Sequence, residues 1–97
     1  MSDDRLQDAI SRGARAERLL ADELLQEAFA GLETEYLKAW KVTAARDTDA
    51  RERLWQATQV LGKVRDHLAA IAGNGRLAQR ELDDLQEKRA RRLGYTR

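Results

Sequence analysis

LWQATQVLGKVRDHLAAIAGNGRLAQRELDDL, residues 54–85, is the stretch whose reading decides the fold. Leu54, Ala57, Leu61, Val64, Leu68, Ile71, Gly75, Ala78, Leu82 and Leu85 recur in it at alternating steps of three and four. That spacing lays one apolar seam along a helix, and a seam of this kind packs against a partner helix. The interruption is Gly73-Asn74-Gly75. By propensity alone the triad ends a helix, since each Gly costs about 1 kcal/mol relative to Ala and glycine often follows a helix C-terminus. A turn, however, has no reason to keep register, and Ala78, Leu82 and Leu85 fall where an unbroken helix puts them. The register therefore predicts one helix over about 50–89, with Gly75 letting a neighbouring backbone approach closely.

Upstream, Leu20, Leu24, Leu25, Ala28, Phe29, Leu32, Tyr36, Leu37 and Trp40 recur at helical spacing and predict a helix over about 18–44. Its apolar stripe is broad enough to touch two neighbours, one of them a candidate second subunit. The stretch Ala44-Ala45-Arg46-Asp47-Thr48-Asp49 breaks the pattern. Asp49 with Glu52 three residues later resembles an N-cap with a capping-box acid, and Thr48 and Asp47 are rival caps. A connection of this length folds the second helix back on the third, which brings Trp40 and Trp55 level across the turn as an aromatic pair.

At the start, Ser2 is a candidate N-cap, Asp3 and Asp4 complement the helix dipole, and Leu6, Ala9 and Ile10 point inward. This face is thin and Gly13 weakens it, so residues 1–17 are expected to form an arm that frays or is ordered only against another subunit. Residues 90–97 are expected to be a basic tail, with Gly94-Tyr95-Thr96-Arg97 loose. The expected fold is all-α and a single domain: a short N-terminal helix and a long antiparallel helical hairpin with coiled-coil-like packing. The residues assigned to its core or oligomer seam are Leu25, Phe29, Leu32, Tyr36, Trp40, Leu54, Trp55, Leu61, Val64, Leu68, Ile71, Leu82 and Leu85.

Composition agrees with this reading. Charged residues make up 36% of the chain and Pro is absent, as in long amphipathic helices. Ninety-seven residues support one modest core, so association is expected to supply stability. No cysteine is present, which excludes disulfides, thiolate metal sites and thiol nucleophiles. No apolar run approaches the ~20 residues of a membrane span, and the polar start Met1-Ser2-Asp3-Asp4 is unlike an export signal. The expected location is the cytosol or the inside of a particle, with no membrane partner. The net charge of +1 hides an asymmetry. From Leu19 to Leu37 there are five acids and no base, whereas the last ten residues carry Lys88, Arg89, Arg91, Arg92 and Arg97 and no acid. Such a distribution suits pairing between subunits, or a basic end that meets phosphate.

Catalysis finds no foothold. His67 has no second histidine, cysteine or Glu-x-x-His element to complete a metal site, and reads as a flank residue. Glu33 and Glu35 cannot share a helical face, and Asp83 and Asp84 are splayed, so neither pair forms an acid/base couple. Asp22, Glu23 and Glu27 read as a solvated ridge. No phosphate-binding loop or nucleophile elbow is present, and no cofactor is expected. Trp40, Trp55, Tyr36 and Phe29 read as core or interface rather than as platforms for nucleobases. Lys88, Arg89, Arg91 and Arg92 are candidates for weak, non-specific nucleic-acid contact or for contact between subunits.

Several sequence words fall between Glu33 and Leu85: Glu35-Tyr36-Leu37-Lys38-Ala39-Trp40, Asp47-Thr48-Asp49-Ala50-Arg51-Glu52-Arg53-Leu54-Trp55, His67-Leu68, Asn74-Gly75-Arg76-Leu77-Ala78 and Glu81-Leu82. In these the chain resembles a group of small helical proteins that tailed bacteriophages encode among their head-assembly and DNA-packaging genes. The resemblance implies a non-enzymatic structural, assembly or packaging-associated homo-oligomer of the host cytoplasm or virion, partnered by other phage structural or packaging proteins. The first helix does not resemble the helix-turn-helix of a small terminase subunit. Two alternatives are a nucleic-acid-binding module that uses the basic end, and a phage-encoded antagonist that sequesters a host protein or ligand.

Overall fold

In the computed structural model, residues 3–94 are described, and all their regular structure is helical. Three helices follow in order: α1 (Asp3–Ala21), α2 (Glu23–Val42) and α3 (Thr48–Arg92). The 45 residues of α3 run through Gly73-Asn74-Gly75 without a break, as the register of its apolar positions requires. Ser2 and the segment Tyr95-Thr96-Arg97 lie outside the described residues.

Contacts group the chain into two compact units, one of residues up to Arg18 with those from Ala69 onward, the other Leu19–Leu68. In the first unit α1 runs antiparallel to the second half of α3. Leu6, Ala78 and Leu82 form its buried centre, with Ala9, Ile10 and Leu85 packed around them. Leu6 is wholly buried, which contributes roughly 2–3 kcal/mol by transfer from water. Exposed ion pairs, Asp3 with Arg89 at 3.1 Å and Glu17 with Arg76, join the helices at two points. Each contributes at most about 1 kcal/mol, because solvent screens both partners.

Backbone contact decides the register of this unit. A Cβ placed on Gly13 would lie 2.6 Å from the Gly75 Cα, and one placed on Gly75 would lie 2.7 Å from the Gly13 Cα. Both distances are too short for any real side chain, so the two helices cross with glycine on glycine. Ala16 and Ala72, also buried, extend the contact with small residues. The expectation of a thin, frayed arm over 1–17 is therefore corrected. Gly13 does weaken the isolated helix, but it lets α1 come close enough for small side chains to be buried on both sides. A further signal was present in the spacing of Leu6, Ala9, Gly13, Ala16 and Leu20, which repeats the three-four steps of α3.

The boundaries of the other helices move for reasons of capping. Where one helix was expected over 18–44, the chain breaks at Asp22. Its extended backbone and side chain start α2, the carboxylate accepting from the Leu25 N–H at 2.9 Å. Gln26 closes the preceding end by donating its side-chain amide to the Leu20 carbonyl at 2.8 Å. Asp47, not Asp49, serves α3, accepting from the Ala50 N–H at 3.2 Å, so that helix starts at Thr48 rather than at 50. At its other end α3 continues to Arg92. Lys88 to Arg92 thus sit in its last turns, where cations complement the carbonyl end of the helix dipole.

The glycine crossing makes a test of opposite signs within one triad. Gly75→Ala is expected to lower stability by about 1–3 kcal/mol through overpacking, despite alanine's better helix propensity. Gly73→Ala meets only the far end of the Arg76 side chain, at 3.8 Å, and is expected to raise stability by about 0.5–1 kcal/mol. Urea unfolding followed by far-ultraviolet circular dichroism separates the two.

Candidate interaction surface

Unit Leu19–Leu68 holds α2 and the first half of α3, and polar bracing rather than burial organises its turn. Thr43 ends α2, its N–H donating to the Trp40 carbonyl at 3.2 Å and its hydroxyl to the Ala39 carbonyl at 2.6 Å. The Thr43 carbonyl accepts from Arg51 Nη1 at 3.1 Å, and the Arg51 guanidinium lies over the Trp40 ring at 4.0 Å. One side chain of α3 thereby grips both the end of α2 and its last aromatic. The group stacked on Trp40 is a cation, where an aromatic partner in Trp55 was expected. Trp55 instead joins Tyr36, Leu37, Trp40, Leu54 and Thr58 in lining an open groove of about 290 Å³.

Toward the start of α2 the same device recurs. Phe29 is the one large apolar side chain buried in this unit. The Arg65 guanidinium lies over its ring at 4.8 Å and reaches Glu33 at 2.8 Å. A cation over an aromatic face contributes about 0.5–2 kcal/mol depending on desolvation, comparable to the burial of one or two methylenes.

The seam residues inferred from sequence divide accordingly. Phe29 is buried; Leu25, Tyr36, Leu54, Leu61 and Leu68 are half-buried; Leu32, Trp40, Trp55 and Val64 are exposed. Ile71, Leu82 and Leu85 belong to the other unit, where α1 covers Leu82 and Leu85. α2 begins only at Glu23, and its 20 residues accompany a comparable length of α3, which leaves the later half to α1. Of the eleven large apolar residues exposed among the described ones, nine lie in unit Leu19–Leu68, including Leu24, Val42 and Val60, so this is where apolar surface remains uncovered.

The other candidate groups are dispersed. His67 and the acids Asp22, Glu23 and Glu27 are exposed, and among the described residues no three His, Cys, Asp or Glu side chains converge as metal ligands. At the basic end, Arg89 is held by Asp3 and Arg91 by Glu87 four residues earlier, both partners within the same unit. Lys88 and Arg92 are exposed beside them. Among the described residues no helix is long and apolar enough to cross a membrane. Compared with protein-family models, curated proteins and solved structures, the chain has no match.

The polar bracing predicts unequal effects from neighbouring arginines. Arg51→Ala removes a hydrogen bond to a carbonyl and the cover of Trp40, and is expected to cost about 1–2 kcal/mol. Arg53→Ala, at an exposed position, is expected to change stability by less than about 0.5 kcal/mol in the same unfolding assay.

Proposed function

We propose that this protein is a non-enzymatic assembly protein, a helical homo-oligomer that acts by presenting its helices in fixed geometry. The observation that carries the reading is the contrast between its two units. Among the described residues, five of the six that form the buried apolar core lie in the unit made by α1 and the end of α3, while the α2 unit has Phe29 alone and most of the exposed large apolar residues. A pair of helices with so little buried between them gains little from its own packing, and a partner covering its open faces supplies the missing burial. In this reading α2 and the first half of α3 form an antiparallel helical hairpin, and its packing across subunits is of the coiled-coil type.

The resemblance to small helical proteins of phage head-assembly and packaging genes suggests the setting, assembly or packaging of a virion in the host cytoplasm. The partners would then be copies of the chain and other structural proteins. Nucleic-acid contact through the basic end is not adopted, because two of the four cations described there already have carboxylate partners in the same chain.

Sedimentation equilibrium with the purified chain tests the reading. A mass above 11.1 kDa in a whole-number multiple is expected, and Leu32→Asp combined with Val64→Asp is expected to return it to that of one chain with helicity retained. A native chain that stays monomeric across the micromolar range would refute self-assembly.

A further inference from the structure

The α2 unit has two flanks, and helical geometry assigns its exposed residues to them. Ala28 lies nine residues from Leu37, and Val64 nine from Trp55, about two and a half turns in each case, so the members of each pair face opposite ways. Leu37 and Trp55 line the aromatic groove. The opposite flank carries the exposed Leu24, Ala28, Leu32 and Val42 from α2 and Val60 and Val64 from α3, with the half-buried Ala39 and Ala57 beside them and the charged Glu35 and Arg53 among them. It mixes small residues that permit close approach with aliphatic ones that fill space. Across two helices it measures roughly 30 by 20 Å, of the order of the ~800 Å² of accessible surface that each partner contributes to a standard interface.

The pattern along α2 on this flank reads nearly the same in both directions. Leu24 and Val42 are 18 residues apart, about five full turns, and Ala28 and Ala39 are 11 apart, about three turns, around nearly the same midpoint. Charge changes sign along α2. Glu27 precedes Ala28 as Lys38 precedes Ala39, and within α2 the acids Glu23, Glu27, Glu33 and Glu35 are followed by the bases Lys38 and Lys41.

We infer that this flank is a two-fold interface on which a second copy packs with its α2 antiparallel, Ala28 against Ala39 of the other copy and Glu27 paired with Lys38 across the boundary. The inference rests on the self-assembly reading and adds the face and direction of assembly to it. An isologous contact needs a self-complementary patch, which the repeated small residues and reversed charges provide. Parallel packing on the same flank would set the acidic end of α2 against its own copy and the basic end likewise, so charge selects the antiparallel direction. The aromatic groove stays outside the contact.

Charge exchange tests the direction. Glu27 and Lys38 are about 16 Å apart along their own helix and cannot pair within one chain, so any rescue between them is intermolecular. Glu27→Lys alone and Lys38→Glu alone are each expected to weaken dimerisation about ten-fold at low salt by sedimentation velocity, and the double variant to return within about three-fold of the native chain. Circular dichroism confirms that each variant keeps its helicity. Cysteine cross-linking gives a second readout, since the chain has no native cysteine. Leu24→Cys with Val42→Cys in one chain should link two copies through a short bismaleimide, while neither single variant links to itself. Self-linking of the single variants, additivity without rescue, or an oligomer that no variant cross-links would overturn the antiparallel interface and leave self-assembly standing. A monomeric native chain would remove both.

Discussion

Where Gly13 meets Gly75, two helix backbones touch with no side chain between them, and the geometry of the first unit depends on that contact. Helices normally keep 8–10 Å between axes because side chains hold them apart. Glycine removes that spacer, so the neighbouring alanines, Ala16 and Ala72, become buried although neither is large. The conformational cost of two glycines inside helices is offset by packing that larger residues could not achieve. The contact also fixes which residue of α1 faces which residue of α3, something that the exposed ion pairs at Asp3 and Glu17 reinforce but are too weak to impose.

The second unit is built on a different balance. Its helices are held by two arginines that each cover an aromatic ring and also bond to oxygen, Arg51 at Thr43 and Arg65 at Glu33. Such bracing positions the helices without enclosing a core, and it leaves Leu24, Leu32, Val60 and Val64 exposed to solvent. One chain thus contains a unit that is closed by small-residue packing and a unit whose apolar flanks face outward. That contrast is what the proposed assembly role rests on: the open part would gain burial from a partner, whereas the first unit already encloses most of its small core.

Much of the helical architecture was legible because periodicity survives local insult. Nine apolar positions in register outweighed a Gly-Asn-Gly triad whose propensity argued for a stop, since each further turn of α3 adds packing that the triad's cost of about 2 kcal/mol does not cancel. The value of α1 was harder to read. Propensity treats Gly13 as a defect, and only the presence of Gly75 opposite turns it into a contact point. The break at Asp22 was concealed for a similar reason, because leucines on both sides keep helical spacing while a single carboxylate redirects the backbone.

Spacing and composition by themselves determined that the chain is helical, that α3 is long and unbroken, and that its apolar stripe must meet other helices, since these follow from local periodicity and the absence of proline. Which helix covers which half of α3, where α1 gives way to α2, and which apolar residues stay exposed were decided only by the tertiary structure. The reason is that these depend on distances between residues far apart in sequence: 62 positions separate the two glycines that touch. A seam announces that a helix has a partner, but the closeness of backbones and the reach of an arginine select the partner.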